Sequence, residues 1–294
     1  MNKFIKRLIA VIAVIAAVLS IFRISLSDII HGVIPDFSSK PASTSSSVDV
    51  TDYSNTAVTF NLTLTDGSTE QISIPQYDGT NDMYTVNNNQ PYFIDSDLIS
   101  TDPYLHLQPL DNYGRAQQAN AIVNRSTLRQ GERADISSIH PSGWYEAKAS
   151  TVEVNRSHEI GSEIADGLAE SIYGSNDVQK DYDSNTIPEN TNQPENMLTL
   201  SRQANAGSTK VPGSMLDCEK RIINAQEDRH TIRYRVTPVF ENVDVTAHGV
   251  LMEAESIDDS GQALTICTYV YNIQPDYVCN YTTGDWEEIP GDSQ

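Results

Sequence analysis

The stretch of this chain best equipped for chemistry is Asn155-Arg156-Ser157-His158. A histidine that follows an arginine and a small residue can act as a general base beside a bound phosphate. Further along stand Asn196, Asn205 and Glu219, two amides and a carboxylate whose oxygens suit a hard divalent cation. A base, a guanidinium and a lightly held cation are together the equipment for hydrolysing a phosphodiester. Taken singly, each has a plainer reading, since a lone histidine is more often structural than catalytic. The positions acquire meaning as a set.

Any such site lies in an acidic chain. The 294 residues carry a formal net charge of -21, a surface that repels polyanions at long range and argues against generic nucleic-acid binding. Residues 1–48 hold five basic side chains and two acidic ones, so the remainder is more acidic still. The exception runs from Asn196 to Arg235, where seven basic residues (Arg202, Lys210, Lys220, Arg221, Arg229, Arg233, Arg235) stand among four acids. That excess suits either a phosphate-facing patch or a solvated helix face. Cys218, Cys267 and Cys279 form neither a disulfide framework nor a zinc-ligand pattern; Cys267 and Cys279 could pair outside the cell, leaving Cys218 free.

The elements that must position the site follow from periodicity. Lys3, Lys6 and Arg7 precede an apolar run from Leu8 to Phe22, and counted from Phe4 the segment spans roughly 28 Å as a helix, close to a bilayer core. Residues 1–23 therefore read as a signal anchor, without a clear cleavage site, that leaves everything after it outside the cell. Residues 24–48 read as an amphipathic segment and a Ser-rich tether. Val58, Phe60, Leu62 and Leu64 alternate before Asp66-Gly67, then Ile72 and Ile74 follow, which predicts a β-hairpin within a small region at 49–84. Ile160, Ile164, Leu168 and Ile172 predict a helix just after His158, and Leu216 to Gln226 a helix carrying Glu219. The polar stretch 175–195 reads as a surface insertion. Strands are expected at Ile232 to Phe240, Val250 to Ala254 and Leu264 to Ile273. The fold class is α+β, with a main domain at 85–288 and a short tail at 289–294.

Several longer blocks add to this: Asn89-Gln90-Pro91, Tyr113-Gly114-Arg115, Ser142-Gly143-Trp144, Asn196-Met197-Leu198-Thr199 with Arg202 and Asn205, Met215-Leu216 with Glu219, the run from Tyr234 to Phe240, and the run from Tyr269 to Pro275. With Asn155-Arg156-Ser157-His158 they resemble the DNA/RNA non-specific endonucleases, the ββα-metal or His-Me finger nucleases. Within these the chain is most similar to membrane-anchored DNA-entry nucleases and secreted DNases of Gram-positive bacteria. The resemblance implies a ββα-metal core with a central antiparallel sheet flanked by helices. It implies His158 as general base, Asn205 as direct ligand of one Mg2+ (or Mn2+), Glu219 as holder of its water shell, and Asn196 as a residue that shapes the site. Arg156 and Arg202 would face the substrate phosphates. Asn185, Asn190 and Asn192 compete with Asn196 and Asn205 by local appearance, but lack a carboxylate at matching distance.

The departures are specific. The best-known form of the signature is Asp-Arg-Gly-His, whereas this chain has Asn155 and Ser157, and Glu159 stands where an apolar residue is usual. A charge at Glu159, beside the base, would raise the pKa of His158. Two readings follow: a tethered, extracellular endonuclease acting on DNA and on RNA, in one setting as part of a DNA-uptake machinery, or a catalytically silent surface module that binds DNA or a protein partner. Cleavage at the anchor would make the protein secreted.

Overall fold

The computed structural model describes residues 57–173, 190–207 and 213–289. The expected anchor at 1–23, the tether at 24–48, Lys210, most of the polar insertion and all but the first residue of the tail lie outside these. No helix among the described residues is long and apolar enough to cross a membrane.

Alternation in the C-terminal half builds the central sheet. Ile232, Tyr234 and Val236 of strand β8 (Ile232–Val239), Val250, Met252 and Ala254 of β9 (Gly249–Ser256), and Ile266 and Val270 of β10 (Thr265–Tyr271) point to one face and are buried there. Three further strands, β3 (Met83–Thr85), β4 (Tyr104–Leu107) and β5 (Ala119–Val123), complete a six-stranded sheet in the order β3-β10-β9-β8-β5-β4. Every pairing in it is antiparallel. Against the first face lie helix α2 (Ser162–Tyr173), through Ile164 and Leu168, and helix α4 (Met215–Glu227), through Met215, Ile222 and Ala225. These are the two helices expected from the apolar spacing. Burying each of their large apolar side chains stabilises the fold by roughly 1.5–3 kcal/mol.

The opposite face is covered by the N-terminal hairpin, β1 (Val58–Thr63) and β2 (Thr69–Ile74), whose Val58, Leu62, Ile72 and Ile74 pack on Leu251, Cys267 and Tyr269. Gly67 turns the hairpin at φ 84, a conformation costly for any residue with a Cβ. The expected boundary at 84/85 falls inside β3, which pairs with β10, so the hairpin region and the sheet share one core.

Two basic residues counted toward the expected patch belong to this second face. Arg235 stands directly opposite Glu253 in the β8–β9 register and is held by two bonds, Nε to Oε2 at 2.7 Å and Nη2 to Oε1 at 2.8 Å. Arg233 is equally buried, donating to Asn120 Oδ1 at 2.6 Å, with Asp97 3.5 Å away. The Phe93 ring lies within 5.0 Å of both guanidinium groups. Neither arginine is available to a polyanion, which corrects the reading of 196–235 as one basic surface. The Cys267–Cys279 bridge is corrected as well: all three cysteines are free, Cys267 under the hairpin and Cys279 in a separate cluster with Trp144 and Trp286.

Candidate functional site

The Asn155-Arg156-Ser157-His158 signature lies within strand β6 (Val154–His158), which among the described residues pairs only with β7 (Met197–Ser201), Val154 opposite Ser201 and His158 opposite Met197. Helix α3 (Arg202–Ala206) begins directly after β7, so two strands and a helix form one small unit beside the main sheet. Ser201 joins these pieces. Its hydroxyl accepts the Ala204 N–H at 2.9 Å as a helix cap and donates to the Ile273 carbonyl, while its own N–H goes to Asn272 Oδ1 at 2.8 Å. Gln274 Oε1 accepts from the Gln203 N–H at 3.1 Å. The 269–275 block at the end of β10 thus docks α3, and with it Arg202 and Asn205, onto the sheet.

Glu219 arrives from α4, whose first turn is capped by Ser214. It passes close to Gly161, where a Cβ would stand 2.7 Å from Glu219 Oε1. The result is a cavity of about 470 Å³. Asn155, Arg156, His158, Arg202, Asn205 and Glu219 all line it, joined by Arg129, Arg133 and Glu163 from segments that carry no recognisable motif. Arg129 is fixed at the start of α2, its N–H on the Glu163 carbonyl at 3.1 Å and its Nη1 on Ser162 Oγ at 3.2 Å.

Not every expected residue faces this space as expected. Asn196 does not line the cavity; its side chain is wholly engaged with backbone, accepting from Ile160 N–H at 2.9 Å and donating to the carbonyls of Ile160 at 2.9 Å and Thr191 at 2.8 Å. It fastens the end of β6 to the 190–192 segment. Arg156 lines the cavity, yet its Nε donates to the Ile139 carbonyl, its Nη2 to the Ser137 carbonyl at 2.8 Å, and its guanidinium lies 4.0 Å from the Trp144 ring of helix α1 (Trp144–Ala149). Its first task is to hold the 137–139 loop. Asn192, weighed above as a rival ligand, sits behind the histidine, with its Oδ1 3.0 Å from His158 Nε2.

Burial sets the electrostatics. His158 is 7% exposed. Desolvation pushes its pKa down to about 4, with the Asn192 hydrogen bond acting in the opposite sense and Arg133 and Arg129 in the same one. The ring is therefore neutral, and able to take a proton, across the physiological range. Glu219 is pushed up to about 7, first by desolvation and then by the Glu163 charge, with Arg133 opposing. Glu159 contradicts the expectation of a charge beside the base. Its side chain is fully buried, and neither oxygen has a hydrogen bond of good geometry among the described residues. Desolvation raises its pKa well above the ordinary value, only partly offset by the Ala119 backbone amide. Burial thus favours its neutral form, and Glu159 is not among the groups that shift His158.

The wall offers hard oxygen donors to a cation: the Asn205 Oδ1, which accepts a hydrogen bond from Ser157 Oγ and retains a second lone pair, and the Glu219 carboxylate. That donor set fits Mg2+, which keeps several of its waters. Among the described residues, three His, Asp or Glu side chains converge closely enough to ligate one metal only at Glu241, Asp244 and His248, outside this cavity. There His248 Nε2 and Thr282 Oγ1 already occupy the two Asp244 oxygens, at 2.8 and 2.6 Å.

Fold and site together define a mixed α and β protein with one large antiparallel sheet backed by helices and a polar cleft carried by a strand pair and its following helix. No family model and no curated protein matches the chain. Among solved structures, NucA from Streptococcus agalactiae with no metal bound shares the fold, at TM-score 0.56 and 23% identity over 71% of this chain and 88% of its own. NucA from Streptococcus agalactiae with magnesium ion bound matches at TM-score 0.56 and 24% identity, over 70% of this chain and 86% of its own.

Proposed function

We propose that this chain is a metal-dependent, sugar-non-specific endonuclease that hydrolyses phosphodiester bonds of DNA and RNA. The observation that carries this reading is the convergence on one cavity of a neutral imidazole, an amide and a carboxylate oxygen donor, and the guanidinium groups of Arg129, Arg133 and Arg202. The shared fold with NucA, a protein solved with magnesium bound, supports it.

In this reading His158 takes the proton of the attacking water as general base, a role worth roughly 10² to 10⁴ in rate. The arginines draw a phosphate into an otherwise acidic molecule and neutralise its non-bridging oxygens, so the net charge of -21 need not exclude a polyanionic substrate. Asn205 would ligate Mg2+ and Glu219 would hold its waters; when bound, the ion supplies charge stabilisation to the pentacoordinate phosphorus and the departing oxygen. Glu163 adds negative charge at the same wall and favours a cation there. Contacts to phosphate carry no sequence information, so base preference should be slight.

The apolar segment at residues 4–22 and its basic flank favour an anchored enzyme with its catalytic part outside the cell. Plasmid cleavage by the full chain with Mg2+ or Mn2+, compared with His158→Ala, tests the activity. Loss of at least 10²-fold is expected for the variant. A parent protein that binds DNA and leaves it uncut in either metal would replace this reading with that of a silent binding module.

A further inference from the structure

Behind the cavity runs a chain of buried polar groups that the roles above leave unused. Its logic starts at a backbone amide. The Asn192 N–H donates to Asn190 Oδ1 at 2.9 Å, which identifies that side-chain atom as the oxygen. Asn192 Nδ2 lies 3.2 Å from the same oxygen and 3.4 and 3.5 Å from the two oxygens of Asp166 on α2. Three acceptors surround one end of the amide, so that end must be the NH2 group. The other end, Oδ1, then faces His158 Nε2 at 3.0 Å and can only accept. Nε2 therefore carries the hydrogen, and in a neutral imidazole Nδ1 keeps the lone pair.

The arrangement is held from both sides. Thr191 Oγ1 donates to Asp166 Oδ1, and Asn196 grips the Thr191 carbonyl on one hand and the Ile160 backbone on the other. Asp166, Thr191, Asn192, Asn196 and His158 are all buried. Water cannot easily replace any of these links, and Asp166 and Asn190 orient the amide.

We infer that Asp166 and Asn192 are a positioning pair that fixes His158 in its Nε2–H tautomer and leaves Nδ1 as the basic nitrogen presented to the cavity. This rests on the reading of His158 as general base, and its test separates the two. The tautomer can be read without substrate or metal, from the imidazole ¹⁵N resonances of the full chain in detergent micelles, assigned by their loss in His158→Gln. The parent should show a protonated Nε2 and a bare Nδ1. Asn192→Leu should lose that signature and lower kcat roughly 10- to 100-fold, as removal of an outer-layer hydrogen bond does at other sites, with KM nearly unchanged.

Should that variant fail to fold, the exchange Asp166→Asn with Asn192→Asp keeps an acceptor opposite Nε2–H and reverses the bond between 166 and 192, at the loss of the Asn192 Nδ2 bond to Asn190 Oδ1. A carboxylate at 192 accepts from Nε2–H, and an amide at 166 donates to it. The exchange should restore the tautomer and most of kcat, and it should move the acid limb of the pH–rate profile upward, because a charge now sits on the imidazole. The tautomer signature, not the limb, separates positioning from a purely structural role, because a carboxylate beside the ring moves the limb in either case. A parent protonated at Nδ1, or Asn192→Leu with the parent's resonances and kcat, overturns the positioning pair. A parent with the expected tautomer that cuts no DNA overturns the nuclease reading and leaves the pair standing.

Discussion

The Ser157 hydroxyl donates its hydrogen bond to Asn205 Oδ1, joining the third residue of the signature on β6 to an amide on α3. An amide oxygen has two lone pairs. One is used by Ser157; the other remains for a cation. Ser157→Ala should therefore loosen Asn205 and weaken Mn2+ binding by about tenfold, in line with the loss of other groups that orient a ligand. Isothermal titration of the metal checks this without any turnover. Tighter binding in the variant would mean that the hydroxyl competes with the ion instead of aiming its ligand.

Glu159 makes stability depend on pH in a direction opposite to that of a paired carboxylate. Its folded pKa is raised above the ordinary value of 4.5. Below that value both folded and unfolded chains hold the proton, and the group contributes no pH dependence. As pH rises through it, the unfolded chain releases a proton that the folded chain retains, and stability falls until the folded pKa is reached. Replacing Glu159 with Leu removes both the desolvated carboxyl and this slope. Urea denaturation at pH 5 and pH 8 should show a gain of about 1–3 kcal/mol, larger at pH 8. Equal pH dependence in parent and variant would place the carboxyl in contact with water or a partner.

Much of the scaffold was legible in the sequence because it depends on local period. The strands Ile232–Val239, Gly249–Ser256 and Thr265–Tyr271 and the helices after His158 and around Glu219 place their apolar residues at strand or helix spacing, and the residues packed between sheet and helices follow it, while the strands themselves are buried on both faces. What escaped depends on partners remote in the chain. Arg233 and Arg235 count as surface charge until Asp97 and Glu253 are seen beside them. Asn192 looks like any other asparagine until α2 brings Asp166 behind it. Arg129 and Arg133 belong to no motif, and only the return of their loop to the start of α2 places them at the cavity. Glu159 misled for the same reason: adjacency in sequence to His158 says nothing about which side of the strand's end a side chain leaves from.

Arg133 should act mainly on substrate encounter. It lines the cavity and influences both His158 and Glu219 electrostatically, yet it has no part in the hydrogen-bond chain behind the imidazole. Arg133→Ala is expected to raise KM with a smaller change in kcat and to lower the slope of log KM against log salt by about one, the signature of a lost phosphate contact. Steady-state cleavage at several NaCl concentrations measures both. An unchanged salt slope would assign Arg133 to the local field alone.

Gly161 gives the most direct handle on Glu219. The glycine lies between the end of β6 and the start of α2, and its φ is not in the left-handed region, so an alanine meets no backbone penalty there. What the added methyl meets is the carboxylate, with Glu219 Oε1 2.7 Å and Cδ 3.2 Å from the new Cβ. Carbon and oxygen cannot approach that closely, and the free end of a glutamate moves at lower cost than a helix flanked by two others. Gly161→Ala should therefore fold with nearly the parent's stability while displacing the Glu219 carboxylate from its place on the cavity wall. Metal affinity and cleavage should fall together, by roughly 10- to 100-fold, and Glu219→Ala in the same background should add little, because the group it removes has already been moved. Thermal denaturation, Mn2+ titration and cleavage on the two single variants and the double one decide the matter. Independent, additive losses would show that the methyl acts elsewhere than on Glu219.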